Sequence, residues 1–153
     1  MVFALVIHNT DSIFYERFYS PLSLEMRSLL GKEIAKLVGA QNEEKKLHGI
    51  LRLRLNNGQR LANGAEFIIW RKKAGVFYTL LLERDESIIV AENALSHATS
   101  ALPIVPSIQE LFSTKLDEVI TLLDHFFPCG MLYTITPIQE RFLKKEADNA
   151  TKM

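Results

Sequence analysis

Apolar residues near the start of the chain change their spacing twice, and each change predicts a different element. Residues 2–7 form an unbroken apolar run, which is typical of a buried strand, and a second β-rich run occupies 13–19 after a polar turn. From Ser20 onward the apolar residues recur every three or four positions, which predicts an amphipathic helix with Ser20 as its N-cap and its end near Gly39. The chain therefore begins strand, turn, strand, helix, and lacks the glycine-rich turn that would cradle a phosphate.

The helical spacing stops over 40–64, where leucines alternate with arginines in 51–55 and two Asn-Gly pairs follow. We expect a long loop here that carries a short edge strand, whose arginines oppose edge-to-edge aggregation. Two runs rich in Ile, Phe, Tyr and Leu then occupy 65–71 and 76–82. They are joined by the polar tip 72–75 and predict a second hairpin.

Helical spacing returns in the last third of the chain. One apolar face runs over 88–102, and a longer stripe over 107–127 begins at a Ser-x-x-Glu capping box. A last helix is predicted from Ile138 to about Lys145. The resulting order, ββα-ββ(β)-αα, predicts an α+β fold with an antiparallel sheet in one domain over 1–146, followed by a flexible tail over 147–153.

Composition narrows the expected location of the protein but indicates no particular chemistry. The 153 residues carry 18 basic and 18 acidic side chains, so no overall charge attracts the chain to nucleic acid. The apolar run at the start is too short for a signal sequence, and no stretch approaches the roughly 18 apolar residues of a membrane span. Cys129 is the single cysteine, which excludes a disulfide within the chain. We expect a cytoplasmic protein that is at most peripheral on a membrane.

Catalytic and metal sites are weakly supported. His125 and Cys129 have a plausible ligand separation, but the other three histidines are scattered and provide no second pair. The carboxylates of 83–86 lie between a predicted strand and a helix, where a helix N-terminus explains them. The Gly-Lys pair at 31–32 lies inside a predicted helix and lacks the glycines of a phosphate loop. No catalytic residue, metal or cofactor is therefore expected.

Two surfaces remain as candidates for contact with other molecules. The basic cluster Arg71, Lys72 and Lys73 lies at the predicted hairpin tip, where it could touch anionic lipid or an acidic partner, although a solvated turn often carries such charges. The stripe over 107–127 is wide enough both to cover the sheet and to leave apolar area for a partner chain, although the core alone could explain it. The candidate interface residues are Phe112, Leu116, Val119, Phe126 and Phe127.

The predicted element order resembles that of the longin-like small subunits of vesicle coats and clathrin-adaptor complexes. The hairpin over 68–78, IIWRKKAGVFY, resembles the corresponding hairpin of adaptor sigma subunits. Within that family the sequence is most similar to the sigma subunits of the fifth adaptor-protein complex. The similar segments are VFALVIH at 2–8, LLGKE at 29–33 and FFPCGMLY at 126–133.

This resemblance covers most of the chain except 40–64, and it implies a non-enzymatic role. The chain would be a small subunit that packs on a large subunit of a heterotetramer, peripheral on late endosomes and lysosomes, in retrieval of cargo toward the Golgi. Spatacsin and spastizin are implied as further partners. Ordinary sigma subunits have a Gly-Gly pair where this chain has Pro128-Cys129-Gly130, so the cargo pocket of other sigma subunits is not carried over.

Two other functions stay open at the level of the sequence. A stand-alone longin-like regulator would bind a small GTPase or a SNARE protein, with the loop 40–64 as its recognition element. An enzyme is the third alternative, and no positive feature of the sequence supports it.

Overall fold

The computed structural model describes residues 2–41, 45–53, 64–103, 110 and 114–152. Within these residues the chain forms one antiparallel sheet of five strands and four α-helices. In chain order the elements are β1 (Val2–His8), β2 (Ile13–Phe18), α1 (Leu24–Gly39), β3 (His48–Arg52), β4 (Ala65–Lys73), β5 (Val76–Glu83), α2 (Ile88–Ala101), α3 (Leu116–Phe126) and α4 (Pro137–Thr151).

The strand order across the sheet is β2-β1-β5-β4-β3, and both predicted hairpins are confirmed. The Asn9 side chain closes the first turn, because its Oδ1 accepts hydrogen bonds from the backbone N–H groups of Asp11 and Ser12 at 2.8 and 2.7 Å. The second turn is a two-residue connection in which Ala74 and Gly75 both have positive φ, 52° and 80°. This geometry matches the right-handed twist of the flanking strands.

Helices cover both faces of the sheet, which gives the α+β architecture that the sequence predicts. On one face α1 buries Leu30, Ile34 and Val38 against a cluster that includes Trp70 and Phe77. On the opposite face α2 and α3 bury their apolar stripes against the other side of the strands. The central strands β1 and β5 are buried on both faces, as their continuous apolar runs require.

The first helix starts later than the sequence predicts. Its N-cap is Ser23, whose hydroxyl accepts a hydrogen bond from the N–H of Met26 at 3.2 Å, whereas Ser20 is buried beyond the end of β2. Ser20 and Ser23 both provide a hydroxyl, and only Ser23 has its hydroxyl at the free amides of the first turn. The predicted end near Gly39 is confirmed.

The last helix is longer than the sequence predicts. The last helix continues to Thr151, well past the expected end near Lys145, because Ala147 is buried in the cluster beneath α2 and α3. The Thr151 hydroxyl adds a hydrogen bond to the carbonyl of Ala147 at 3.1 Å. Thr136 begins the helix with a complete capping box that includes Gln139.

The loop predicted over 40–64 contains the expected edge strand, β3, which pairs only with β4 in the described sheet. Gly49 of this strand lies against the indole of Trp70, and a Cβ at that position would come within 2.8 Å of the ring. The first part of the helix predicted over 107–127, including the residue that begins its capping box, lies outside the described residues. Across the described ranges, no helix is both long and apolar enough to cross a membrane.

Candidate functional site

The predicted interface stripe is part of this chain's own core. Val119, Phe126 and Phe127 have no exposed surface because they pack with the sheet and with α2. Leu116 is half-buried at the start of α3, and Phe112 lies outside the described residues. The assignment of Val119, Phe126 and Phe127 to a partner surface is therefore corrected, since a side chain fully covered by its own fold presents no area to another protein.

The basic cluster lies on a strand and not at a free tip. Arg71, Lys72 and Lys73 are the last three residues of β4, and the turn itself consists of Ala74 and Gly75. The three basic side chains are half-buried. They therefore lie closer to the body of the sheet than a solvated tip would place them.

Two of these lysines are engaged within the chain. The ammonium of Lys73 donates hydrogen bonds to the carbonyls of Thr99 and Leu102 at 2.8 and 3.4 Å, which satisfies free carbonyl groups at the end of α2. Burial lowers the pKa of Lys73, and the neighbouring charge of Lys144 lowers it further. Lys72 lies 5.8 Å from the centroid of the Phe77 ring. Contact of this cluster with lipid or an acidic partner stays a prediction.

Of the two candidate metal ligands, the histidine contacts its own helix and the cysteine is exposed in a turn. His125 Nδ1 lies 2.8 Å from the carbonyl oxygen of Thr121 in its own helix, and Cys129 is exposed in a short 3-10 turn with a φ of 54°. Among the described residues there is no group of three or more His, Cys, Asp or Glu side chains that could hold a metal ion.

Four of the ten large apolar side chains that are exposed among the described residues lie around the start of α4, and three others lie on α1. We use the name C-terminal surface for Met131, Tyr133, Ile138 and Phe142, whose exposed fractions are 49%, 48%, 72% and 61%. Two of them, Tyr133 and Phe142, line a groove of about 690 Å³. The residues that line the groove are Val90, His125, Phe126, Pro128, Leu132, Tyr133, Thr134, Ile135, Gln139, Phe142 and Leu143. Lys and Arg, Asp and Glu are all missing from this lining, so the groove suits an apolar occupant.

A sharp reversal of the chain creates this groove. After α3 the residues Cys129 and Gly130 both have positive φ, 54° and 77°. Gly130 is required here because a Cβ would come within 2.7 Å of the Tyr19 ring. An extended segment follows and leads into α4. The reversal therefore places the start of α4 beside the end of α3.

Two polar contacts hold α4 and the extended segment before it on α2. The backbone N–H of Ile135 donates to Asn93 Oδ1 at 2.8 Å, and His97 Nδ1 lies 2.9 Å from Glu140 Oε1. Both contacts are remote in sequence, and they fix the far wall of the groove against the core. The site is thus a fixed groove with exposed apolar side chains at its margin.

The sequence contained one signal for this surface that the predicted element pattern does not use. Ile138 and Phe142 are four residues apart in the last helix, a spacing that places two side chains on the same face. Met131 and Tyr133 come from an extended segment, and no periodicity links them to that helix. Only the chain reversal brings the four residues together.

Comparison with known proteins supports the fold. No family model matches the sequence, and no curated protein matches it significantly. A chain in a homology model of the full-length AP-3 complex in a stretched open conformation matches with a TM-score of 0.66 and 17% sequence identity. The match covers 99% of this chain and 94% of that chain, so the two agree over almost their full extent. The predicted longin-like fold is thereby confirmed.

Proposed function

We propose that this protein is a non-enzymatic small subunit of a heterotetrameric adaptor complex that acts in endosomal transport. The observation that carries the proposal is the agreement of fold with a chain of the AP-3 complex over nearly all of both chains. The role expected for such a subunit is structural.

The C-terminal surface supports this proposal independently. Ile138 and Phe142 together expose most of two large apolar side chains on one helix face, and Phe142 lines a groove that has no Lys, Arg, Asp or Glu in its lining. Exposed apolar groups grouped around a groove are typical of protein-protein contacts, whereas scattered ones are common on any surface. We infer that a helix of a large subunit packs here, with Phe142 as an anchor.

The finer assignment is to the fifth adaptor-protein complex. Its support is the similarity of the three sequence segments at 2–8, 29–33 and 126–133 to sigma subunits of that complex. On this assignment the protein is peripheral on late endosomes and lysosomes and acts in retrieval toward the Golgi. Its further partners are spatacsin and spastizin.

Co-purification tests the proposed assembly. A tagged chain expressed at its native level should recover two large subunits and one medium subunit in equal amounts, as quantified by mass spectrometry. Recovery of a lone small GTPase or SNARE protein in stoichiometric amount would contradict the proposal and support a regulator. Identification of the large subunits also decides which adaptor complex contains the chain.

A charged substitution tests the surface. Phe142→Asp should reduce recovery of the large subunit by about tenfold or more, since loss of a buried aromatic anchor typically costs at least that much in affinity. Leu24→Asp is the matched control, because Leu24 is 80% exposed on α1 at the opposite face of the sheet. Circular dichroism and thermal unfolding should show both variants folded. Equal recovery with both variants would exclude the C-terminal surface as the contact.

A further inference from the structure

The basic residues at the end of β4 do not form a single surface. Successive side chains of a strand point to opposite faces of the sheet, so Arg71 and Lys73 share one face and Lys72 lies on the other. Ile69, two residues before Arg71, is buried in the cluster beneath α2 and α3, whereas Trp70 belongs to the cluster beneath α1. Arg71 and Lys73 therefore face the side of α2, and Lys72 faces the side of α1.

A third cation reaches Arg71 and Lys73 from α4. The charge of Lys144 acts on Lys73 and contributes to the lowered pKa of that lysine, so the two ammonium groups are close enough to repel each other. Lys144 is exposed and Arg71 is half-buried. We use the name cationic site for Arg71, Lys73 and Lys144. Two elements that are distant in sequence, β4 and α4, thus bring three positive charges to one place.

Much of the hydrogen-bonding capacity of the cationic site is unused. Lys73 donates to the carbonyls of Thr99 and Leu102, which leaves one N–H of its ammonium. Arg71 and Lys144 have no side-chain hydrogen bond or ion pair within the described part of the chain. An anion with several oxygen atoms would accept from these donors and relieve the repulsion between the lysines.

The acidic residues of α4 do not neutralise the cationic site. Glu140 lies one turn before Lys144, and its carboxylate is bonded to His97. Asp148 lies one turn after Lys144 and is exposed, and no salt bridge joins the two among the described residues. Glu146 is two positions from Lys144, a spacing at which side chains do not face each other. The hairpin sequence 71–76 contains no acid. The site therefore retains an excess of positive charge.

The turn beside the cationic site leaves room for a flat surface. Ala74 and Gly75 join β4 to β5 and are exposed, and neither side chain is larger than a methyl group. The strand β4 is paired on both sides, with β3 and β5, so its backbone offers no free edge to an extended peptide. Contact here depends on side-chain charge and not on main-chain pairing. Phosphate groups at a membrane surface fit such a contact better than a peptide strand does.

We propose that the cationic site binds a phosphorylated headgroup of an anionic membrane lipid, with Arg71 and Lys144 as its outer contacts and Lys73 as a charge fixed by the end of α2. The planar guanidinium of Arg71 donates to two phosphate oxygens, and the lysines supply further positive charge. The inference goes beyond the proposed assembly, because it assigns a direct lipid contact to this chain whichever complex contains it.

The cationic site and the C-terminal surface lie on different sides of α4. Phe142 of the C-terminal surface and Lys144 of the cationic site are two positions apart on this helix, so their side chains do not face each other. The lining of the apolar groove also contains no lysine or arginine. A large subunit on the C-terminal surface therefore leaves the cationic site open to a membrane.

Vesicle flotation with the full chain tests the inference. The probes are vesicles of phosphatidylcholine, the same vesicles with a tenth of phosphatidylinositol monophosphate, and vesicles with phosphatidylserine at equal total charge. The chain should bind the phosphoinositide vesicles most tightly, and soluble inositol phosphate should compete. Equal binding to the two anionic vesicles, or binding to neither, would overturn the headgroup site. Equal competition by inorganic phosphate would assign the site to a free anion and overturn the lipid assignment.

Neutral substitutions locate the contact. The double variant Arg71→Gln, Lys144→Gln should weaken binding about twentyfold, since each basic residue near an anionic surface contributes a factor of about five. Lys32→Gln, Lys36→Gln is the matched control, because it removes the same charge from exposed positions of α1 on the opposite face of the sheet, and it should leave the affinity unchanged. Equal losses in both double variants, or no loss in the first, would overturn the assignment.

Reductive methylation gives a readout that needs no variant. Bound phosphoinositide vesicles should slow modification of Lys144, as measured by mass spectrometry, and should leave modification of Lys36 on α1 unchanged. Both lysines are exposed in the chain. Protection of Lys36 in place of Lys144, or of neither, would overturn the proposal even if a variant failed to fold.

Co-purification separates this inference from the adaptor proposal. The variant Arg71→Gln, Lys144→Gln should lose vesicle binding and still recover the large subunit in normal amount. Loss of recovery as well would show that the cationic site belongs to the large-subunit contact and would overturn the lipid assignment. Failure of the unmodified chain to recover large subunits would contradict the adaptor proposal alone, because vesicle binding is measured on the chain by itself.

Discussion

Helices α3 and α4 pack against each other, yet they use their apolar residues in opposite ways. Of the eleven residues of α3, four apolar side chains are buried in the chain's own core: Val119, Leu122, Leu123 and Phe126. The fifteen residues of α4 bury one, Ala147, and leave Ile138 and Phe142 mostly exposed. The difference shows that helical spacing of apolar residues indicates a surface that must be covered. It does not indicate whether the same chain covers it.

The largest expected difference between the two helices is in stability. Phe126→Ala should lower the free energy of unfolding by about 3–5 kcal/mol, because it removes a fully buried ring and leaves a cavity. Phe142→Ala should change it by less than about 0.5 kcal/mol, because the ring is 61% exposed. Urea denaturation of the two variants measures both values. Similar losses for the two would show that α4 belongs to the core in the same sense as α3.

The same contrast explains what the sequence could and could not predict. The hairpins and the end of α1 depend on neighbouring residues, such as the positive-φ pair Ala74 and Gly75, and local patterns predict them. The length of α4 depends on Ala147, a small apolar residue in a polar segment, whose burial is created by distant elements. No local pattern distinguishes that alanine from one in a frayed tail.

The candidate surface was harder to predict for a related reason. The more apolar stripe, that of α3, is the one whose width suggests a partner in addition to the core, yet the sheet and α2 cover it. The less apolar α4 carries the exposed side chains. Which of two amphipathic helices lies inward depends on the chain reversal at Cys129 and Gly130, a tertiary feature. The spacing of apolar residues alone does not show which of the two helices lies inward.

Lowering the pH should destabilise the chain through a histidine in the sheet interior. His8 is buried at the end of β1, where Nδ1 donates to the Asn9 carbonyl at 3.1 Å and Nε2 accepts from the Thr79 hydroxyl at 2.9 Å. The ring stacks on Phe77, and the ammonium of Lys72 lies on that same ring. Burial lowers the pKa of His8 below 6.5, so the imidazole is neutral in the folded chain.

The unfolded chain therefore takes up this proton first as the pH falls. Stability should be constant above about pH 6.5 and decline below it toward the folded pKa, by at most about 1.4 kcal/mol per pH unit. Urea denaturation at pH 7.5, 6.5 and 5.5 measures the decline, and His8→Gln should reduce it. His48→Gln on the exposed strand β3 is the control and should retain the wild-type dependence. An unchanged decline in His8→Gln would assign the acid sensitivity to other groups.

Helix caps provide a smaller and more local comparison. The Thr136 hydroxyl accepts from the N–H of Gln139 at the start of α4, and Ser87 caps α2 in the same way through Val90. Removing either hydroxyl by substitution with alanine should cost about 1 kcal/mol. The two variants should lose protection from hydrogen exchange in different parts of the chain. Thr136→Ala should speed exchange mainly within α4, whereas Ser87→Ala should lower global stability because α2 is part of the core. Global loss in both would contradict the separation.

The smallest effect concerns how α4 is held in place. His97 Nδ1 and Glu140 Oε1 form a hydrogen bond of 2.9 Å between α2 and α4, with side chains 22% and 24% exposed. A double-mutant cycle with His97→Gln and Glu140→Gln should give a coupling energy of about 0.2–1 kcal/mol, since partly exposed pairs rarely contribute more. Hydrogen exchange of α4 is the appropriate measurement, because the pair restrains that helix and not the sheet. A coupling of zero would leave the Asn93 contact with the Ile135 N–H as the polar restraint on α4. The position of the C-terminal surface would then depend on the extended segment before α4, and not on the helix itself.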